Sequence, residues 1–273
     1  EEKNSSYYGQ GFASGTFRVT GTPAQLFLES NITTNKGTQI FIPLLDANEA
    51  STGGFVTFVN PEKNKEKSND EFGQLNITKL PEINFDLDIT QDASVQLIFD
   101  QTVGDILKAK GNGALKLRID HTGEYNMYGT YTIDKGDYLF TLQKVINKRF
   151  RIEEGGSIKW NGDPYNAVLD INAVYSLNAS LADLYVGNEE QELGNFDSKR
   201  RIPVDCKLYV KGNLMNPDIA FDITFPNMDL GSQATLANLW TTEQQLNKQI
   251  FSLLVLGRFQ PLLEFKETSG LVS

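Results

Sequence analysis

Period-two alternation between residues 113 and 177 constrains this chain more than any other feature. Leu115, Leu117 and Ile119 alternate with Lys116, Arg118 and Asp120. Tyr125, Met127, Tyr131 and Ile133 alternate with Asn126, Tyr128, Thr130 and Thr132. Further on, Ala167, Leu169, Ile171, Ala173 and Tyr175 alternate with partners that include Asp170 and Asn172. A strand sends successive side chains to opposite faces, so each run builds one apolar and one wetter face. Turn residues separate the runs, at His121–Glu124 and again at Lys135-Gly136. Short turns of this composition predict strands that pair antiparallel with their neighbours.

The pattern extends in both directions. Ile83, Phe85, Leu87 and Ile89 alternate with Asn84, Asp86, Asp88 and Thr90, and Val95, Leu97 and Phe99 make the next strand. Asp86 and Asp88 lie two apart on one face, a spacing compatible with a cation site or with acid–base work. The wet face of a half-buried strand explains them more simply. Residues 103–113 read as a helical turn or irregular corner, and their Gly-Asn-Gly lacks the strand–helix context of a phosphate loop. Val204, Cys206, Leu208 and Val210 form one arm of a last hairpin, and Ile219, Phe221, Ile223 and Phe225 form the other.

Part of this recurs. The unit at residues 11–44 repeats at an offset of about 99, matching Leu26 to Tyr125, Ile32 to Tyr131 and Lys36-Gly37 to Lys135-Gly136. Its first half returns at residues 206–226, where Lys211-Gly212 takes the place of the Thr20-Gly21 turn and Pro217 that of Pro23. A repeated hairpin predicts an elongated sheet that grows by adding strands.

Two segments differ. Residues 60–73 are highly charged and nearly free of apolar side chains, the composition of a solvated loop. Residues 180–185 suit a short helix with Ser180 as its cap. Past Pro226 the period changes from two to about 3.6. Thr241 or Thr242 caps a helix with Gln three residues on, and Leu246, Ile250, Leu253 and Leu254 then form one face. That face packs on the sheet end or docks a partner or a membrane interface. The expected division is a β-domain at 1–230 and a helical segment with tail at 231–273.

The bulk numbers narrow the function. A net charge of −10 over 273 residues disfavours non-specific binding to nucleic acid or to anionic membrane surfaces. No run of 18 apolar residues is present, so no helix spans a bilayer. The chain starts Glu-Glu-Lys-Asn without Met or signal peptide, and is expected to be a piece of a longer protein. Its one cysteine, Cys206, reads as a small core residue, and its one histidine, His121, as a turn residue. A zinc site is not expected from the pair. Hydrolase, zincin, redox and Walker patterns are absent, so neither an enzyme nor a cofactor is expected.

Several long blocks carry a resemblance. They are residues 111–142, 150–177, 201–226 and 241–259, and the most specific are GGSIKWNGDPYNAVLDINA (155–173) and VKGNLMNPDIAFDI (210–223). Together they resemble the C-terminal domain of the TamB family, in the form closest to that of the Bacteroidota, over about Tyr8 to Phe259. The resemblance implies an all-β fold, an elongated, folded-over, antiparallel-rich sheet (a β-taco) with an apolar groove. It also implies a periplasmic, inner-membrane-anchored protein reaching a TamA-like barrel of the Omp85 class. Two roles come with it, passage of phospholipid acyl chains and assembly of outer-membrane proteins.

The physics of the sheet agrees, because an open apolar face must be buried or offered to a ligand. The expected groove lining is Leu115, Leu117, Ile119, Tyr125, Met127 and Tyr131, continued by Ile133, Leu169, Ile171, Leu208, Phe221 and Ile223. Leu246, Ile250, Leu253 and Leu254 are the expected docking face. A rival reading is a closed β-sandwich serving as an adhesin or carbohydrate-binding module, with Trp160, Tyr125 and Tyr128 stacking on sugars.

Overall fold

The computed structural model describes residues 8–22, 25–43, 80–100, 104–142, 146–184 and 200–262. The charged stretch 60–73 and the acidic run at 189–192 lie outside the described residues. Thirteen strands form one sheet: β1 (Tyr8–Gln10), β2 (Ala13–Thr22), β3 (Gln25–Thr34), β4 (Gln39–Pro43), β5 (Glu82–Ile89), β6 (Ser94–Asp100), β7 (Asp105–Ile119), β8 (Tyr125–Leu142), β9 (Ile146–Ile152), β10 (Ser157–Gly162), β11 (Val168–Ser180), β12 (Arg201–Asn213) and β13 (Asn216–Thr224). Helices α1 (Leu230–Ala237) and α2 (Glu243–Leu256) follow.

The order of pairing reduces this to a simple plan. β5 and β6 both run antiparallel to β7, one along each half of it. β9 and β10 share β8 and β11 in the same way. β3 and β4 lie parallel to β5 and β6, and β1 and β2 pair with β4 and β3. Each of these four pairs is therefore one long strand with a break. The long strands follow one another in sequence order, antiparallel except where β3–β4 meets β5–β6.

The breaks line up across the sheet. They fall at Gly11-Phe12, at Asn35–Thr38, at Thr90–Ala93 and at Glu153–Gly156, with register shifts beside Gly111 and Asp134 between them. Side chains tie this seam. Thr90 donates from its backbone N–H to Thr34 Oγ1 (2.9 Å) and from its hydroxyl to the Thr34 carbonyl (2.9 Å), and Thr38 Oγ1 donates to the Phe12 carbonyl (2.7 Å). Backbone groups freed by a break are thus satisfied locally. The recurrence of Lys-Gly at 36–37 and 135–136 marks this seam in two copies of the unit.

The seam corrects two expectations. Lys135-Gly136 is not a turn, because β8 runs unbroken through it for 18 residues. Ile133 pairs with Gly111 and Lys135 with Lys110, so Asp134 is an extra residue, a bulge. The inward set changes there from odd numbers (Tyr131, Ile133) to even ones (Tyr138, Phe140). Residues 105–113 are not a corner but the first half of β7, with Leu107 and Ala109 buried. Their glycines have a packing reason. A Cβ at Gly111 would stand 1.9 Å from the Thr132 carbonyl oxygen, and one at Gly113 2.4 Å from that of Thr130. Likewise Thr20-Gly21 and Lys211-Gly212 lie inside β2 and β12, and the β12–β13 turn is Leu214-Met215.

The two ends of the sheet differ. The end holding residues 138–142, 146–150, 175–180 and 221–225 is filled by aromatic rings in contact. Ring centroids lie 5.8 Å apart for Phe99–Tyr138, 5.9 Å for Phe140–Phe150 and 5.7 Å for Phe140–Phe221. A 3-10 turn at Leu181–Leu184 stands where the short helix was expected, and the Ser180 hydroxyl accepts from the Ala182 N–H (3.3 Å). Helix α2 closes this end. Thr242 and Gln245 make a reciprocal capping box, and Gly257 ends the helix in a left-handed conformation (φ 67°). Helix α1, capped by Asp229 on the Ser232 N–H, was not legible in the sequence period. Sheet and helices share one hydrophobic core, so the helical segment that begins at Leu230 packs as the lid of the β-domain.

Cys206 is fully buried between Val204 and Leu208. Burial, and then the neighbouring Asp205, push its thiol up from 9.0 to about 12. Burial also raises the phenols of Tyr131 and Tyr138. Each folded-state value is raised, so the stability tied to these groups is complete below about pH 9. It is lost as the pH rises through the folded values. We expect chemical denaturation midpoints to be flat from pH 7 to 9 and to fall steeply above. A thiol reagent should label Cys206 only in denaturant.

Candidate apolar groove

The other end of the sheet is open. Transverse rows of paired residues show its inward face: Val19, Leu28, Ile83, Ile119 and Tyr125 in one row, Phe17, Ser30, Phe85, Leu117 and Met127 in the next. Both rows end exposed at β2, past buried Ile83 in the first and buried Ser30 in the second. Phe17 is 58% exposed and Val19 55%, although both point to the side that is core elsewhere. β2 pairs only with β3, and its other edge is unpaired among the described residues.

An apolar cavity of about 340 Å³ lies against the β7–β8 part of these rows. β7 and β8 supply Leu115, Leu117, Ile119, Tyr125, Met127 and Tyr131. Facing them are Phe85, Leu87 and Ile89 from β5, Val95 and Leu97 from β6, and Ile40 and Ile42 from β4. Trp160, Pro164, Tyr165 and Leu214 close the lower wall. That wall is built from turns. Asp163 accepts from the Tyr165 N–H (2.9 Å), Trp160 donates through Nε1 to the Pro164 carbonyl (3.2 Å), and the Leu214 N–H donates to the Ala167 carbonyl (2.8 Å). Leu214 is thereby folded inward and buried at the tip of its hairpin.

Polar character is nearly absent from the lining. The Tyr131 hydroxyl is buried and has no hydrogen-bond partner among the described residues. Charges lie on the opposite face. Arg18 and Glu29 approach to 4.0 Å, Lys116 and Asp86 to 3.8 Å, and Lys211 and Asp170 to 3.4 Å. Asp86 is thus the wet-face partner of a lysine. Among the described residues no cluster of metal-ligating side chains occurs.

The twelve expected lining residues divide into two sets. Six, from Leu115 to Tyr131, do line the cavity. Ile133, Leu169, Ile171 and Leu208 are fully buried, Ile223 is nearly so, and Phe221 packs on Phe140. They face the same way but lie where the face is filled. Sequence periodicity missed the contribution of Trp160, Pro164, Tyr165 and Leu214, since three of them sit in turns, outside any alternating run. Residues 40–42, 85–89 and 95–97 did alternate visibly, and their part in the lining came only with the parallel pairing of β3–β4 with β5–β6.

Ile250, Leu253 and Leu254 of α2 are buried, and Leu246 packs against the same core. The sheet end takes this helix face, and a partner would meet the opposite one. Trp160 is buried and Tyr125 lines the groove, so only Tyr128 of the three aromatics proposed for sugar stacking is exposed. One folded sheet with an accessible apolar cavity stands in place of a closed two-sheet sandwich.

A single mixed sheet, folded over an apolar groove and closed at one end by helices, defines a β-groove protein. A family profile, the TamB C-terminal domain, matches residues 3–273. The chain belongs to the TamB family, and its role is in the cell envelope. No curated protein matches it. No helix among the described residues is long and apolar enough to cross a membrane.

Proposed function

We propose that the groove takes phospholipid acyl chains and passes them toward the outer membrane. The observation that carries this reading is the open apolar cavity, lined almost wholly by aliphatic and aromatic side chains. Each methylene buried is worth about 0.8 kcal/mol. A chain of ordinary length therefore gains enough to leave water, yet holds no headgroup-specific bond. Weak selectivity of this kind suits bulk lipid movement. In the same reading the protein works in the periplasm with an Omp85-class barrel, and it is not an enzyme.

The edge of β2 that is unpaired among the described residues supports a second role. Ten residues of exposed strand, with Phe17 and Val19 on one face and Thr16, Arg18 and Thr20 on the other, offer backbone hydrogen bonds to an incoming amphipathic strand. An unfolded outer-membrane protein carries such strands.

Photo-crosslinking in cells separates these uses. A photoreactive residue at Leu117 should capture phospholipid, and one at Lys116, on the wet face, should not. The same residue at Phe17 should capture outer-membrane protein if the edge serves assembly. Equal lipid capture from Leu117 and Lys116, or none from either, would remove the groove reading.

A further inference from the structure

The fold brings together two basic spots that are far apart in sequence. Arg201 opens β12, and its Nη2 donates to the Asn178 carbonyl at the end of β11 and to the Gly257 carbonyl at the end of α2 (3.4 Å). This contact sets Arg200 and Arg201 beside Leu256 and Arg258. All three arginines are exposed, and Leu256, the last residue of α2, is 60% exposed. The support beneath is rigid. Ser252 Oγ donates to the Arg258 carbonyl (2.7 Å), Gln249 Nε2 donates to the Gln260 carbonyl (2.8 Å), and the Gln260 N–H donates back to Gln249 Oε1 (2.9 Å).

None of the three arginines joins an ion pair among the described residues. They lie in a chain of net charge −10. The net charge does not govern this spot, because fields at physiological salt fade within about 8 Å. Guanidinium groups bind phosphate oxygens in a planar, two-pronged fashion. A fixed leucine between them supplies apolar area for the headgroup boundary.

We propose that this end of the molecule docks on an anionic phospholipid surface. Arg200, Arg201 and Arg258 meet the phosphates, and Leu256 enters the layer beneath. The site lies at the filled, helix-capped end and is independent of the groove.

Vesicle flotation of the full chain tests the proposal. Vesicles of phosphatidylcholine mixed with phosphatidylglycerol should carry the protein, and pure phosphatidylcholine vesicles should not. Binding should fade at high salt. Each arginine removed should cut partitioning about fivefold, so Arg200→Gln with Arg258→Gln should cut it about 25-fold. Leu256→Ser should weaken it further, and Lys116→Gln, on the sheet's wet face, should leave it unchanged. The surface-exposed substitutions leave the core intact, and an unaltered circular dichroism spectrum verifies this. Equal binding to both vesicle types would assign the attraction to the acyl groove and overturn the docking site. Binding that persists in the double variant, or none to either vesicle, would overturn it as well.

Discussion

Ile171→Asp is expected to unfold the protein. Ile171 is wholly buried in β11, beside Leu169 and Ala173 and across from Val210 of β12. Removing its branched side chain from a packed core costs about 2–5 kcal/mol. An unpaired carboxylate placed there adds several kcal/mol more, unless it takes up a proton. The sum is comparable to the whole stability of an ordinary domain, about 5–15 kcal/mol. The expected result is loss of the near-ultraviolet circular dichroism signal of the aromatic cluster and aggregation of the chain. Ile171→Val, which removes one methyl group, should cost only about 1 kcal/mol. A folded and soluble Ile171→Asp protein would mean that the face of β11 is open to water.

Ile171 and Leu117 look alike in the sequence, and this shows what alternation can and cannot tell. Period two assigns a side chain to a face, and every residue named from 115 to 223 does face inward. It does not say whether that face is filled. Filling depends on what lies opposite, and the aromatic rings of β8, β9 and β13 close one end while β2, β3 and β5 leave the other open. The parallel step from β3–β4 to β5–β6 also escapes local reading, since each strand alternates in the same way whichever direction its neighbour runs.

The bulge at Asp134 was hidden for a related reason. One inserted residue shifts the parity of everything after it, so Tyr138 and Phe140 fall out of step with Tyr131 and Lys135-Gly136 reads as a turn between runs. Gly111 and Gly113 signalled a break because glycine is rare inside strands. Here they admit the neighbouring carbonyl oxygens of β8 at distances a side chain would forbid. The helix α2 was legible almost to the residue, since capping box, apolar face and terminal glycine all agree. Its buried face follows from the same pattern. Of the basic spot beside it, Arg200 and Arg201 stand together in the sequence, and only the folded chain carries Arg201 to Gly257.

Leu117→Asp should abolish acyl binding while the protein stays folded, the opposite outcome to Ile171→Asp. Leu117 is half-buried in the groove wall, flanked in its row by Phe85 and Met127, and water reaches it. A carboxylate there keeps its hydration in the empty groove, so folding loses little. An acyl chain entering the groove would strip that hydration and forfeit contact with the lost leucine. Two or three methylene contacts at about 0.8 kcal/mol each amount to roughly 2 kcal/mol, close to a thirtyfold loss of affinity before desolvation is added. Binding of a fluorescent fatty acid to the purified chain measures this directly, with circular dichroism beside it. Lys116→Asp reverses a charge next to Asp86 on the other face of the same strand and should leave fatty-acid binding unchanged. An exposed cross-strand ion pair is worth at most about 1 kcal/mol, so stability should hardly move either. If Leu117→Asp bound fatty acid as the unaltered chain does, the cavity beside β7 would not be the acyl site. The lipid would then have to lie along the exposed row from Phe17 to Val19, outside the cavity.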